Sequence, residues 1–208
     1  MNAVTHAITS VSNAPIVAVV YHSGYGHTKK QAEAVAAGAA RVAGAKVALI
    51  PVEEAETRAD ELNAADAIIF GAPTYMGGVS AQFKTFIDWT SKIWFVGGWK
   101  DKLAAGFTNS SSPAGDKQGS LQQIAILAAQ QGMLWVSLGL PPGNNSSTGS
   151  NENLNRLGSS LGAMAQSNAD EGPELGPIAS DLRTAEHLGQ RVAEFARIHA
   201  AAKVAVAA

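Results

Sequence analysis

Residues Ile16 to Lys30 read IVAVVYHSGYGHTKK: an unbroken apolar run, a turn holding two glycines, and then the opening of a helical pattern. An apolar run that does not alternate suits a strand covered on both faces, the condition of a parallel sheet between two helical layers. The turn joins that strand to a helix. Gly24 and Gly26 let the backbone turn tightly, and Ser23 and Thr28 add hydroxyl groups. The free N–H groups at the helix start complete a cradle for an anion. Lys29 and Lys30 raise the local positive potential.

Four more apolar runs follow: Val47–Ile50, Ala67–Phe70, Leu103–Phe107 and Leu134–Leu138. Helical patterns separate them. Ala32, Val35, Ala36, Ala39 and Val42 recur at helical spacing, with Gly44 as the stop. Residues 53–63 form a weaker helical stretch. Phe83, Phe86, Ile87, Thr90 and Trp94 make a stripe after Ser80. Ser120 and Gln123 have the spacing of a capping box at the head of Leu121–Gln131, which Gly132 ends. A last helix starts near Ser180, with Leu188, Val192, Phe195 and His199 along its inner face. The alternation of strand and helix implies right-handed crossovers. The fold class expected is therefore α/β: a doubly wound five-stranded parallel sheet in the flavodoxin-like order 2-1-3-4-5.

Residues 139–177 break the pattern. This segment is rich in Gly, Asn and Ser and much longer than an ordinary connection. It reads either as a functional flap that holds short helices or as a mobile excursion. Met1 to Ala14 holds no Lys or Arg and no long apolar run, so a loose leader is expected there rather than a signal peptide. Residues 15–208 are expected to form a single domain with a long loop at 139–177.

Composition narrows the function classes. Hydrophobic residues make up 46% of the chain and charged residues 15%, a globular balance. A net charge of -2 gives no bulk electrostatic case for nucleic acid or an acidic membrane surface. The absence of cysteine excludes disulfides, thiolate catalysis and iron–sulfur ligation. His22, His187 and His199 show no metal spacing. No run reaches the roughly 20 apolar residues of a membrane helix, so no membrane insertion is expected. A cytoplasmic location is the expectation.

Ligands of open parallel sheets bind beyond the carboxyl ends of the strands, where strand order reverses. Three loops fall there. The first holds Ser23, Gly24, Tyr25, Gly26, His27 and Thr28. It lacks the third glycine and the later acidic residue of a dinucleotide fingerprint, and the Gly-Lys-Ser/Thr ending of a P-loop. A monophosphate therefore suits it better than a pyrophosphate, and FMN carries a monophosphate. The second loop, with Pro73, Thr74, Tyr75, Met76 and Gly77, offers a stiff turn, an aromatic face and a thioether. The third, with Thr108, Asn109, Ser110, Ser111, Gly115 and Asp116, is dense in small donors and acceptors suited to the polar edge of a flavin.

Together these loops resemble the flavodoxin-like NAD(P)H:quinone oxidoreductases of the WrbA family. The resemblance rests on Ser23–Thr28, Asp66–Tyr75, Phe83–Asp88, Lys102–Ala104 and Gln131–Met133. It implies non-covalent FMN, with Ser23–Thr28 on the phosphate and Pro73–Gly77 and Thr108–Asp116 on either side of the ring. It also implies an enzyme in which NAD(P)H delivers a hydride and a quinone-like acceptor then takes two electrons, in a homodimer or homotetramer. Gln130-Gln131 stands where the family tends to carry a His pair, and Pro51–Ala65 is too short for the family's insertion. No side chain is assigned a catalytic role, because flavin hydride transfer needs no side-chain acid; His27 is read as packing beside the first helix. Trp99, after Gly97-Gly98, is the tryptophan expected to roof a flavin or meet a partner subunit. Two other readings stand beside the enzyme: a one-electron carrier of flavodoxin type, and a flavin-bearing interaction protein.

Overall fold

Strand β1 (Ile16–Tyr21) lies between β2 (Lys46–Pro51) and β3 (Ala67–Tyr75), parallel to both, in the computed structural model, which describes residues 14–207. The expected leader thus falls, except for Ala14, outside the described residues. A short β4 (Gly78–Val79) turns back antiparallel on β3. On its other edge β3 pairs in parallel with β5 (Leu103–Ser110).

The fifth position in the sheet is built from two pieces. β6 (Leu134–Trp135) pairs with Leu103 and Ala104 of β5, and β7 (Ala163–Gln166) pairs with Phe107 to Ser110. The order 2-1-3-4-5 holds, but the run Leu134–Leu138 does not form one strand. Leu138 N–H turns instead to Ser160 O at 3.2 Å, and β7 takes over the ladder. The long segment 139–177 therefore contains a sheet strand.

Both faces of the sheet are buried, which explains the unbroken runs. Val17, Val19, Ile69, Ala105 and Phe107 face α1 (His27–Ala40) and α6 (Ala179–Ala207). Ala18, Val20, Ile68, Phe70 and Ala104 face the opposite layer. That layer holds α2 (Ala59–Ala64), α3 (Ala81–Trp89), α4 (Ser91–Phe95) and α5 (Lys117–Gln130). α1 and α6 pack backbone to backbone: a Cβ on Gly38 would stand 1.9 Å from Glu186 O. Small residues on α1 are what allow this approach.

Several expectations are corrected. Strands β3 and β5 run past Phe70 and Phe107, so Pro73, Thr74, Tyr75, Thr108, Asn109 and Ser110 are strand residues rather than loop residues. β1 stops pairing at Gly71, so the ladder on that edge is open where Pro73 has no N–H to offer. The helix expected over 53–63 is a 3₁₀ turn at Val52–Glu54 followed by α2. The stripe after Ser80 breaks at Thr90, and Trp94 is exposed. Ser80 caps α3 through Phe83 N–H.

The expected capping box is absent, because α5 starts three residues before Ser120. Ser120 Oγ accepts from Thr74 Oγ1 at 2.7 Å, and Gln123 Oε1 accepts from Val79 N–H. Phe195 is 42% exposed under the Arg191 guanidinium rather than on the inner face of α6. Trp99 is fully buried against Phe70 and Phe86, with Nε1 donating to Asn63 Oδ1 at 3.0 Å. It fills core, and roofs nothing.

Candidate functional site

At the carboxyl ends of β1, β3 and β5 lies a cavity of about 500 Å³. Tyr25, His27, Thr28, Pro73, Thr74, Tyr75, Asn109, Ser110 and Ser111 line it from the sheet side. Its size falls in the range of small-molecule sites.

The turn after β1 reaches the cavity through the start of α1. Ser23 Oγ accepts from Gly26 N–H and Lys29 N–H, both at 3.1 Å. Gly26, at φ +91, takes the left-handed conformation that launches the helix. Among the described residues, the N–H groups of His27 and Thr28 meet no acceptor. Two helix-start donors and the buried Thr28 side chain thus gather at one point of the lining. An anion is the natural partner of such a point. His27 Nδ1 donates to Gly176 O at 3.1 Å, so its ring is held by the chain across the cavity.

Beneath the floor, Thr108 Oγ1 donates to Thr74 Oγ1 at 2.8 Å, which in turn donates to Ser120. This buried chain ties the ends of β3 and β5 to α5. Tyr25 and Tyr75 meet edge to face with centroids 6.3 Å apart and form an aromatic rim. Gly24 sits under that rim, where a Cβ would come within 2.6 Å of the Tyr75 hydroxyl. Burial, then the neighbouring Tyr25, raises the Tyr75 phenol above its ordinary range, so the Tyr75 hydroxyl is a neutral donor at pH 7.

His22 links the first two loops. Its Nδ1 lies 2.8 Å from Ser80 Oγ, the cap of α3, and its N–H donates to Gly71 O. Burial lowers its pKa, and exposed Glu53 at 3.8 Å only partly opposes that.

Eight of the expected residues do not line the cavity, Gly26 at the launch of α1 among them. Ser23, Gly24 and Thr108 stand behind its walls. Met76 and Gly77 form the two-residue turn between β3 and β4, with φ of 49° and 81°. Those are the angles of a type I′ hairpin, and Met76 is entirely exposed on it. Gly115 and Asp116 lie at the start of α5, both with positive φ.

No individual residue pattern pointed to the far wall, made of Ser167, Asn168, Ala169, Glu171 and Gly172. Its one hint was the length of the segment that carries them. Asn109 Nδ2 donates to Ser167 Oγ at 2.9 Å, Ser167 N–H to Ser110 O at 3.2 Å, and Gln166 Nε2 to Ser111 O at 2.8 Å. A buried pair, Arg156 with Asp181 at 2.7 Å, anchors the same segment to α6, and Asp181 also accepts Gln166 N–H. Gln131, at the position of the family's His pair, is buried and donates to Thr90 O; it is not part of the cavity lining.

Comparison with known proteins places this geometry. A family model described as NADPH-dependent FMN reductase matches residues 17–141. The chain belongs to that family. It is 46% identical to flavodoxin FldP of Pseudomonas aeruginosa over 187 residues, 88% of this chain and 97% of that protein. It is 37% identical to an NAD(P)H dehydrogenase (quinone) of Archaeoglobus fulgidus over 203 residues, 86% and 96% of the two chains. A solved structure, the flavodoxin, WrbA-like protein from Agrobacterium tumefaciens, superposes with a TM-score of 0.71 at 44% identity. That match covers 89% of this chain and 99% of the other. This FMN reductase family member is a flavodoxin-like oxidoreductase of the WrbA type. Among the described residues, no helix is long and apolar enough to cross a membrane, and no cluster could hold a metal ion.

Proposed function

We propose that the cavity binds FMN and that the protein uses NAD(P)H to reduce quinones or similar flat acceptors in two-electron steps. The observation that carries this is the meeting, in one cavity, of the His27 and Thr28 helix-start donors with the ends of β3 and β5. The relatives named NAD(P)H dehydrogenase (quinone) support the acceptor class.

Bound FMN would supply hydride acceptance and electron release. The protein's own groups would do the rest. His27 N–H, Thr28 N–H and the Thr28 hydroxyl would hold the phosphate. Pro73, Thr74 and Tyr75 would flank the ring on one side, and Asn109, Ser110 and Ser111 would meet its polar edge. The expected roles of Ser23, Gly24 and Thr108 become supporting ones in this proposal. Tyr25 and Tyr75 would keep water from the ring and offer a stacking surface to nicotinamide and acceptor in turn. A homodimer or homotetramer and a cytoplasmic setting belong to the same proposal. The exposed apolar turn Trp94–Val96 supports the oligomer.

A second reading, one-electron transfer of flavodoxin type, is favoured by the likeness to flavodoxin FldP. Anaerobic titration of the FMN-loaded protein with NADPH separates the two. Complete bleaching by one equivalent, followed by reoxidation with a quinone, is the result expected. No reduction by NADH or NADPH, with ready reduction by a one-electron donor, would establish the carrier instead.

A further inference from the structure

Lys117, the first residue of α5, is fully buried, which is rare for a lysine. Its Nζ donates to Ser110 Oγ at 2.8 Å and to Ser112 O at 2.7 Å. Ser110 Oγ donates in turn to Ser112 O. The side chain therefore runs back from α5 beneath the 110–116 loop and ends behind the rim of the cavity, where Ser110 and Ser111 form the lining. Among the described residues it makes no ion pair. The opposite charge that acts on it, Asp181 on α6, is already taken by Arg156, and Asp116 beside it in sequence makes no ion pair with it. A buried ammonium held only by neutral oxygens costs stability that an apolar side chain would not.

We propose that Lys117 is a positioning residue of the flavin site: it holds Ser110 and the 110–112 backbone in place and sets a positive charge behind the polar edge of the ring. This rests on the assignment of the cavity to FMN. The charge would favour the reduced cofactor, which is more negative than the oxidised one. Burial, opposed by Asp181 and assisted by Arg156, lowers the Lys117 pKa to about 8. The ammonium is therefore present below that pH and lost above it.

The test compares wild type, Lys117→Met and Lys117→Arg by quenching of FMN fluorescence and by the midpoint potential of bound FMN between pH 6 and 10. Wild type is expected to show an added fall in potential above about pH 8, tenfold per pH unit or about 30 mV for a two-electron couple. Lys117→Met should lower the potential at pH 7 by a similar tenfold preference and abolish the added fall. Lys117→Arg should keep the higher potential without the break, because arginine stays charged. Wild type that binds FMN, with the same potential and pH profile in Lys117→Met, would overturn the proposal. Wild type that fails to bind FMN would overturn the site assignment instead, and with it this inference. If Lys117→Met does not fold, Ser110→Ala carries the test. Loss of one of the two Nζ partners should move the break, and an unmoved break would count against the proposal.

Discussion

One wall of the cavity is made of the turn after β1 and the ends of β3 and β5; the other is made of residues 167–172, which follow β7. The first wall hangs from a sheet buried on both faces, and its residues sit a few positions past fully buried strand positions such as Phe70 and Phe107. The second is held by side chains and by a ladder of four paired residues. The difference teaches where mutations should act. Damage to the first wall should appear in ligand affinity, and damage to the second in the stability of the segment itself.

The largest effect is expected at the anchor of the second wall. Asp181→Ala leaves Arg156 buried without its partner and strips Gln166 N–H of an acceptor, at a cost of about 4 kcal/mol. Urea denaturation would measure the loss, and limited proteolysis should cut within 139–177 first. If cleavage begins in α1 or β3, the two walls are not separable.

Thr28→Ala tests the first wall. Removing a hydroxyl from the proposed phosphate contact should weaken FMN by about 1 kcal/mol, roughly fivefold, with little change in melting temperature. Fluorescence titration of FMN reads it, and unchanged affinity would show that the anion point is misplaced. Ser167→Ala gives the converse pattern. Asn109 Nδ2 loses its acceptor, and stability falls by about 1 kcal/mol. FMN affinity should fall less than in Thr28→Ala.

A shallower effect belongs to pH. The His22 pKa is lowered on folding, so the unfolded chain binds the extra proton first. The His22 contribution to stability should be constant above pH 6.5 and fall as pH drops through the window below it. His22→Gln should flatten that fall in denaturation curves taken from pH 8 to 5. The smallest effect is a gain: Met76→Asn, at a left-handed position, should stabilise the β3–β4 turn by about 0.5 kcal/mol without altering FMN affinity.

How far the sequence could be read follows the same division. β1 ends at Ile16 and Tyr21 as its apolar run does, whereas α1 ends at Ala40, before the expected stop at Gly44, which takes the left-handed conformation in the turn that follows. Thr28, Pro73–Tyr75 and Asn109–Ser111 were nameable because topology places ligands at strand ends. Trp99 misled because a tryptophan after two glycines looks like a loop residue, while its burial depends on Phe70 and Phe86, far away in sequence. Ser120 and Gln123 misled because the capping spacing was real but their partners lie across the sheet.

What the amino-acid order determined by itself was the doubly wound sheet, its strand order and the anion-seeking turn after β1. These follow from local periodicity and backbone chemistry, which act between residues close in the chain. Only the tertiary structure decided that β7 would complete the fifth strand position, that residues 167–172 would close the cavity, and that Lys117 would lie buried behind Ser110. Each depends on contacts between distant segments, whose energy comes from burial and hydrogen-bond pairing that no local pattern encodes.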